Sequence, residues 1–414
     1  MIMNISNKIV GRPLYLNKLM AYLNKPVIKV ITGVRRCGKS AIMALAVGYL
    51  RENGTDDEHL IRINFDSFET ESLKDAAALH TYIMNKVHDD GMYYLFLDEI
   101  QEVASWEKVV RSLFEKGNFD IILTGSNSNL LSSELATYIA GRYVEIPIQT
   151  LTFSEYLEFR KELFDIVSPD IPAEFNRYLT LGGFPAIHAG GYEKEAALPL
   201  ISDILSSVFL KDIVQRYQIR NTALFYKILQ FIFSNVGNLF SAKSIADYLK
   251  AQKQKLDVNT IYTYLTYMEN AFLIRKVSRY NIIGKAILQS QEKYYASDIS
   301  LLYALFGLRD SMIPGILENI VYLELLSRGY RVYVGKLDAK EVDFVAEQNG
   351  RRIYVQVTYR CAGDENTLNR EFAPLLEIRD QYPKYLVSMD SFISEDRDGV
   401  HCMSITDFLL KDAW

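Results

Sequence analysis

The sequence predicts an α/β multidomain protein: a parallel sheet covered by helices at the N-terminus, then a helical segment, a helix-and-hairpin domain and a second α/β domain. Three observations carry this. Short apolar strands alternate with helical patterns through residues 1–150. A glycine-rich turn joins the first strand to the helix after it. A later strand of the set ends in two adjacent acids.

The elements follow in order. Candidate strands are Val27–Thr32, Leu60–Phe65, Tyr93–Leu97, Ile121–Thr124 and Tyr143–Ile146. Helical patterns lie between them at Ser40–Arg51, Ser72–His88, Trp106–Lys116 and Asn127–Ile139. Continuous apolar strands separated by helices argue for a parallel sheet covered on both faces.

Gly33-Val34-Arg35-Arg36-Cys37-Gly38-Lys39-Ser40 fits the pattern G-x-x-x-x-G-K-[ST] between a strand and a helix. Such a turn aims backbone N–H groups and the positive end of the helix dipole at one spot, which suits polyphosphate. Lys39 is expected to reach the β/γ-phosphates of ATP and the Ser40 hydroxyl to sit on Mg²⁺. Gly33, Arg35, Arg36, Cys37, Gly38 and Ala41 complete the expected phosphate cradle. Tyr93-Tyr94-Leu95-Phe96-Leu97-Asp98-Glu99 is the Walker B pattern, about sixty residues on. Asp98 is expected in the Mg²⁺ shell and Glu99 as the base that orients the attacking water.

The fourth strand runs into Thr124-Gly125-Ser126-Asn127. A polar side chain there, Ser126 or Asn127, either senses the γ-phosphate or caps a helix. Arg142 precedes the fifth strand. It either reaches the nucleotide of a neighbouring subunit, as arginines at that place do in ring-forming ATPases, or makes a local ion pair.

Composition narrows the rest. With 414 residues the chain has room for two to four domains. At 49% hydrophobic and 23% charged it is ordinary for a globular protein. No uninterrupted apolar run approaches the ~20 residues of a membrane helix. The start lacks a signal-peptide pattern, and Cys37, Cys361 and Cys402 lie far apart. No disulfide framework or zinc site follows from them, and a reducing cytoplasm is the simplest home. The net charge of −5 gives no global nucleic-acid signal.

At these motifs the sequence resembles the bacterial and archaeal AAA-type ATPases that carry a C-terminal domain of unknown function. Beyond the P-loop, the matching blocks are Leu97-Asp98-Glu99-Ile100-Gln101, Leu123-Thr124-Gly125-Ser126 and Ala140-Gly141-Arg142-Tyr143. Leu151-Thr152-Phe153-Ser154-Glu155-Tyr156, Gly182-Gly183-Phe184-Pro185 and Glu341-Val342-Asp343-Phe344 continue the match across nearly the whole chain. The resemblance implies ATPase chemistry and an AAA-type core. Val10-Gly11-Arg12 resembles the segment that packs near the adenine in related ATPases, so Gly11 and Arg12 join the expected nucleotide contacts.

From Phe153 to about Tyr217 the pattern is helical, as expected of a lid over the nucleotide. Three helices follow, Leu224–Val236, Ser241–Lys250 and Val258–Ala271, then strand-like runs Phe272–Val277 and Glu292–Tyr295. Three helices and a hairpin make a winged helix. Between Thr222 and Tyr295 ten Lys/Arg face four Asp/Glu, a local net of +6 that leaves −11 elsewhere. Such asymmetry is what a nucleic-acid footprint in an acidic chain looks like; the alternative is a winged helix used for protein contacts or domain spacing. Arg275, Lys276, Arg279 and Lys285 are the expected phosphate contacts. The exposed face of the third helix lacks arginine, so low sequence specificity is expected.

The last part carries a faded nuclease pattern. Glu318 and Glu324 lie on a helix, Leu317–Leu326; Glu341–Val345 and Tyr354–Thr358 read as strands joined at Asn349-Gly350. This resembles the PD-(D/E)XK layout with Gln356-Val357-Thr358 in place of E-x-K. Gln brings no negative charge for a divalent ion and Thr no cation, so a catalytically silent domain is expected.

The expected organisation is therefore an AAA-type core (1–150), a helical lid (151–220), a winged helix (221–300) and a PD-(D/E)XK-like domain (301–414). The expected protein is a homo-oligomer, with a ring as one form, away from membranes. It either couples ATP turnover to duplex or branched DNA, as a helicase-like motor does, or works as a nucleotide-dependent switch.

Overall fold

The computed structural model describes residues 8–128, 141–307, 309–360, 365–390 and 396–414. Most of the expected helix Asn127–Ile139, together with Ala140 and Cys361, lies outside the described residues. The chain divides into two compact units, 1–149 with 270–272, and 150–269 with 273–414.

The first unit is built on five strands: β1 (Ile28–Thr32), β2 (Leu60–Asn64), β3 (Tyr93–Asp98), β4 (Phe119–Gly125) and β5 (Tyr143–Pro147). Their order is β2-β3-β4-β1-β5, and every pairing is parallel. β1, β3 and β4 are buried along their whole length, which explains why they are apolar runs rather than alternating patterns. Helices α1 (Pro13–Met20), α2 (Lys39–Glu52), α3 (Ala76–Met84) and α4 (Trp106–Lys116) accompany them. Leu79 and Ile83 of α3 and Val109, Val110 and Leu113 of α4 pack with Val30, Ile61, Leu95 and Ile121 into one core. Each such side chain contributes roughly 1.5–3 kcal/mol when fully buried. Asp75 caps α3 through Ala77 and Ala78, starting it later than the sequence pattern suggests.

In the second unit, helices Phe153–Phe164 and Ile171–Leu181 start at side-chain caps, Thr152 with Glu155 as a capping box and Asp170. Gly182-Gly183 is where backbones cross. A Cβ on Gly183 would lie 2.3 Å from the Leu151 carbonyl oxygen, and one on Gly182 2.0 Å from an oxygen of Asp298. Asp298 is buried and accepts a hydrogen bond from the Gly183 N–H at 2.8 Å.

Helices Thr222–Ser234, Ala242–Ala251 and Val258–Asn270 fall where the sequence pattern puts them. The third buries Ile261, Leu265 and Met268 and leaves Tyr262, Thr263 and Thr266 exposed. β6 (Ile274–Asn281) and β7 (Ala286–Ala296) form the expected hairpin. The hairpin is not a free wing, because β6 also pairs in parallel with β8 (Arg331–Leu337). It thereby joins β9 (Lys340–Gln348), β10 (Arg351–Thr358), β11 (Lys384–Ser388) and β12 (Val400–Ser404) in one seven-stranded sheet. The expected boundary near residue 300 falls between strands of that sheet. Asn349 and Gly350, both with positive φ, make the β9–β10 turn. Helix Ile313–Ser327 carries Glu318 and Glu324.

Candidate functional site

β1 ends at Thr32 and α2 begins at Lys39, so the P-loop spans one turn at the carboxyl end of the sheet. Its shape depends on glycine. Gly33 has φ 150° and a Cβ there would meet the Ile148 carbonyl oxygen at 2.4 Å. Gly38 caps α2 at φ 105° with no side-chain cap, so the start of α2 presents its N–H end to the loop. Arg36 also takes positive φ, 67°. Arg12 supports the loop. Its buried guanidinium donates to the Cys37 carbonyl at 2.9 Å and the Gln149 carbonyl at 3.1 Å, and lies over the Tyr15 ring. Gly11 is exposed. The Cys37 side chain is fully buried, and burial pushes its thiol up.

Lys39 is buried, with Nζ 3.2 Å from the Gly33 carbonyl, 3.4 Å from the Val34 carbonyl and 3.4 Å from Glu99 Oε1. Burial works to lower its pKa, and Glu99, with Cys37 and Asp98, outweighs that, so the ammonium is retained. Burial likewise works to raise Glu99. Lys39 foremost, then Gln101 and Arg35, overcome it, and the carboxyl ends below its ordinary value. Glu99 takes φ 55° at the end of β3, a left-handed conformation that aims it back at the P-loop lysine. Asp98 goes the other way: burial raises it against hydrogen bonds from Ser40 and Thr124.

Thr124 is the residue that sequence reasoning misses. β3 and β4 pair Leu97 with Leu123, which sets Thr124 beside Asp98. Its hydroxyl donates to Asp98 Oδ1 and accepts from the Glu99 N–H at 2.9 Å. The expected sensors Ser126 and Asn127 are buried just beyond it. Gln101 donates to Glu99 Oε2. Arg35 reaches Asp66 at 3.5 Å, and Ala41 lies in the first turn of α2. A cavity of about 390 Å³ opens beside Ser40 and Asp98, lined also by Met43, Arg62, Asn64 and Phe96. A nest of N–H groups, a buried ammonium and the adjacent Ser40 and Asp98 oxygens fit a polyphosphate with Mg²⁺ held by Ser40 and Asp98.

Arg142 lies at the other end of the sheet. Its backbone carbonyl pairs with Ile28 at the start of β1, and its half-exposed side chain is 4.0 Å from Glu115. Five residues of strand, roughly 16 Å, separate it from the P-loop of its own chain.

The expected DNA contacts are placed unequally. Lys276 is paired with Glu292 at 2.7 Å and Arg279 donates to Gln291 at 3.1 Å. Lys285 is exposed at the hairpin turn and Arg275 is half-buried. Lys293, counted in the local charge, is no surface group. Its Nζ lies 3.0 Å from Glu318, 2.8 Å from Glu341 and 3.5 Å from Asp343. The cation absent from Thr358 thus enters the acidic cluster from β7. Tyr295 donates to Glu318 at 2.9 Å, and Asp343 Oδ2 accepts from the Val357 N–H at 2.8 Å. Gln356 donates to Glu371 at 2.9 Å.

Comparison with known proteins agrees with the first unit. A family described as "AAA domain" matches residues 25–157, and a "Domain of unknown function (DUF8612)" matches residues 172–312. An uncharacterized protein of Haemophilus influenzae is 37% identical over 408 residues, 98% of this chain and 100% of that one. The uncharacterized protein MJ1544 of Methanocaldococcus jannaschii is 33% identical, over 83% of this chain and 76% of its own. Among solved structures, the Walker-type ATPase PABY2304 of Pyrococcus abyssi is similar in fold. Its TM-score is 0.50 at 16% identity, over 72% of this chain and 95% of that one. Among the described residues no helix is long and apolar enough to cross a membrane. With a P-loop parallel sheet, a matching AAA domain and two relatives at 37% and 33% identity, the chain belongs to the same family of AAA-type P-loop proteins as the Haemophilus influenzae and Methanocaldococcus jannaschii proteins.

Proposed function

We propose that the protein binds ATP with Mg²⁺, hydrolyses it to ADP and phosphate, and couples that cycle to DNA. The observation that carries the hydrolytic part is the contact between Lys39 and Glu99 at 3.4 Å, beside Asp98 and Thr124. At that distance the P-loop lysine neutralises the base. When Lys39 turns to the β/γ-phosphates it gives up Glu99, whose carboxylate is then free to take a proton from water in line with the γ-phosphate. Mg²⁺, when bound, would neutralise charge developing across the β- and γ-phosphates. Thr124 holds Asp98 and the Glu99 backbone together, so the metal ligand and the base keep one spacing. Arg142, far from its own P-loop, is suited to serve a neighbouring subunit in an oligomer.

The DNA part rests on the basic segment around Arg275, Lys276, Arg279 and Lys285, with phosphate contacts of low sequence specificity. A second reading, a nucleotide-dependent switch without translocation, is favoured by the hairpin's pairing with β8 and by the Lys276–Glu292 pair. Both hold a wing that a groove binder would leave free. ATPase rates with and without single-stranded, duplex and branched DNA separate the two. DNA-stimulated turnover, and a duplex affinity falling with salt at a slope near −3.6 for about four neutralised phosphates, support the motor. Slow turnover indifferent to DNA, with no duplex binding at low salt, supports the switch. No turnover under any of these conditions removes the hydrolytic reading.

A further inference from the structure

The end of the five-stranded sheet away from the P-loop holds a group of side chains that nucleotide chemistry does not use. His59 ends a short 3₁₀ turn immediately before β2, and His88 and Asp89 lie in the loop that leads into β3. The ligand-capable atoms of His59, His88 and Asp89 all lie within 4.8 Å of one another. Glu58 adds a second carboxylate, 3.1 Å from His88 Nε2.

His88 Nδ1 lies 3.2 Å from the Lys86 carbonyl oxygen. The Tyr93 hydroxyl lies 3.2 Å from the same nitrogen, accepts from the His88 and Asp89 backbone N–H groups and donates to Asp89 Oδ1. His88 Nε2 then points at Glu58 Oε2 and, at 3.7 Å, at Asp89 Oδ2. Nε2 therefore faces carboxylate oxygens of two residues. His59 Nε2, 3.2 Å from Asp89 Oδ1, faces the same point. Gly91 leaves the room: a Cβ there would lie 2.7 Å from His59 Nε2.

We propose that His59, His88 and Asp89, with Glu58 as a fourth ligand, bind one divalent transition-metal ion of the Zn²⁺ class. Two imidazoles with carboxylates select Zn²⁺, Co²⁺ or Ni²⁺ over Mg²⁺ and Ca²⁺. Tetrahedral Zn²⁺ needs ligand atoms about 3.3–3.5 Å apart, a closure of about an ångström for partly exposed side chains. The Lys86 carbonyl on Nδ1 is the outer partner that metal-bound histidines use. The ion would tie the starts of β2 and β3, whose far ends carry Asn64 and Asp98. It touches none of the ATP machinery.

The test uses the full chain, stripped of metal and free of nucleotide, titrated with Zn²⁺ against a chromogenic chelator. One equivalent is expected, with Co²⁺ giving a tetrahedral or five-coordinate visible spectrum. Combined His59→Ala and His88→Ala should remove the equivalent and the spectrum, and His80→Ala should keep both. Gly91→Ala, which retains every ligand, and Asp89→Asn should each weaken binding by about 10-fold or more. They decide the matter if the double variant folds poorly by circular dichroism. No stoichiometric binding by the wild type, or an equivalent undiminished in all of these variants, would overturn the site.

Discussion

Each unit holds a buried lysine among carboxylates, and the two clusters are built to opposite purposes. Lys39 has one carboxylate within ion-pair distance, at 3.4 Å, and two loop carbonyls at similar range. Those are loose contacts that a phosphate can replace. Lys293 has three carboxylates at 2.8–3.5 Å, a tyrosine hydroxyl on one of them and a backbone N–H on another. The first cluster opens on a glycine loop at the N-terminus of α2. The second is saturated from within. The difference teaches that a buried Lys–acid pair is a reactive device only where the cation's other partners are weak and replaceable.

The sharpest way to break this contrast is Glu99→Gln. The amide keeps the size and loses the base, so ATP should still bind while turnover falls by about 10²–10⁴. Near-normal turnover in a coupled phosphate-release assay would remove Glu99 from the reaction and leave the Lys39–Glu99 pair as a second structural lock.

Lys293→Met tests the other side. Burial raises Glu318 and Asp343 while Lys293 opposes it, and the lysine itself is held charged by the three acids against its own burial. Removing the cation leaves buried acids without their counter-charge, which costs roughly 3–5 kcal/mol at neutral pH. The loss should shrink at pH 5, where the acids can take up protons instead. Urea denaturation at the two pH values reads both effects, and wild-type stability at pH 7.5 would mean the cluster is not saturated as described.

A smaller change is expected for Lys39→Ala. One charge-assisted phosphate contact is worth about 1.5–3 kcal/mol, so the Kd for ATP should rise about tenfold or more. Stability should move little or improve, since loose partners lose little. Unchanged affinity in a nucleotide titration would sink the phosphate assignment.

The two clusters also differ in how legible they are from sequence. The P-loop, Asp98 and Glu99 sit in local patterns, and the strands of the first unit fall within a residue or two of their expected limits, β1, β3 and β4 because each is a continuous buried run. Thr124 stands inside a matching block yet has no role there, because its partner is set by the β3–β4 register and not by spacing along the chain. The second unit reads as separate modules for the same reason. The hairpin β6–β7 is a local pairing and shows in the pattern; the β6–β8 pairing is long-range and leaves no periodic trace. Lys293 looks like surface charge since nothing nearby in sequence marks it as buried.

Glu324, on the same helix as Glu318, sharpens the contrast further by showing a buried acid with a single cation. Burial pushes its carboxyl up to about 7, against Arg328 at 2.7 Å. The folded state therefore binds more protons than the unfolded chain between about pH 4.5 and 7. Stability from this group is fully present below the lower value and is lost as pH rises through the upper one. His188 works against it over part of that window. Burial lowers it to about 4, so the folded protein loses stability as pH falls from about 6.5 to 4. Glu324→Gln isolates the acid, being neutral at every pH. Relative to wild type it should gain about 1–3 kcal/mol between pH 5 and pH 7.5, since each tenfold change in proton affinity is worth about 1.4 kcal/mol. A difference between the two proteins that stays constant across that range would mean one arginine already suffices for a buried carboxylate. The three partners around Lys293 would then exceed what burial alone demands.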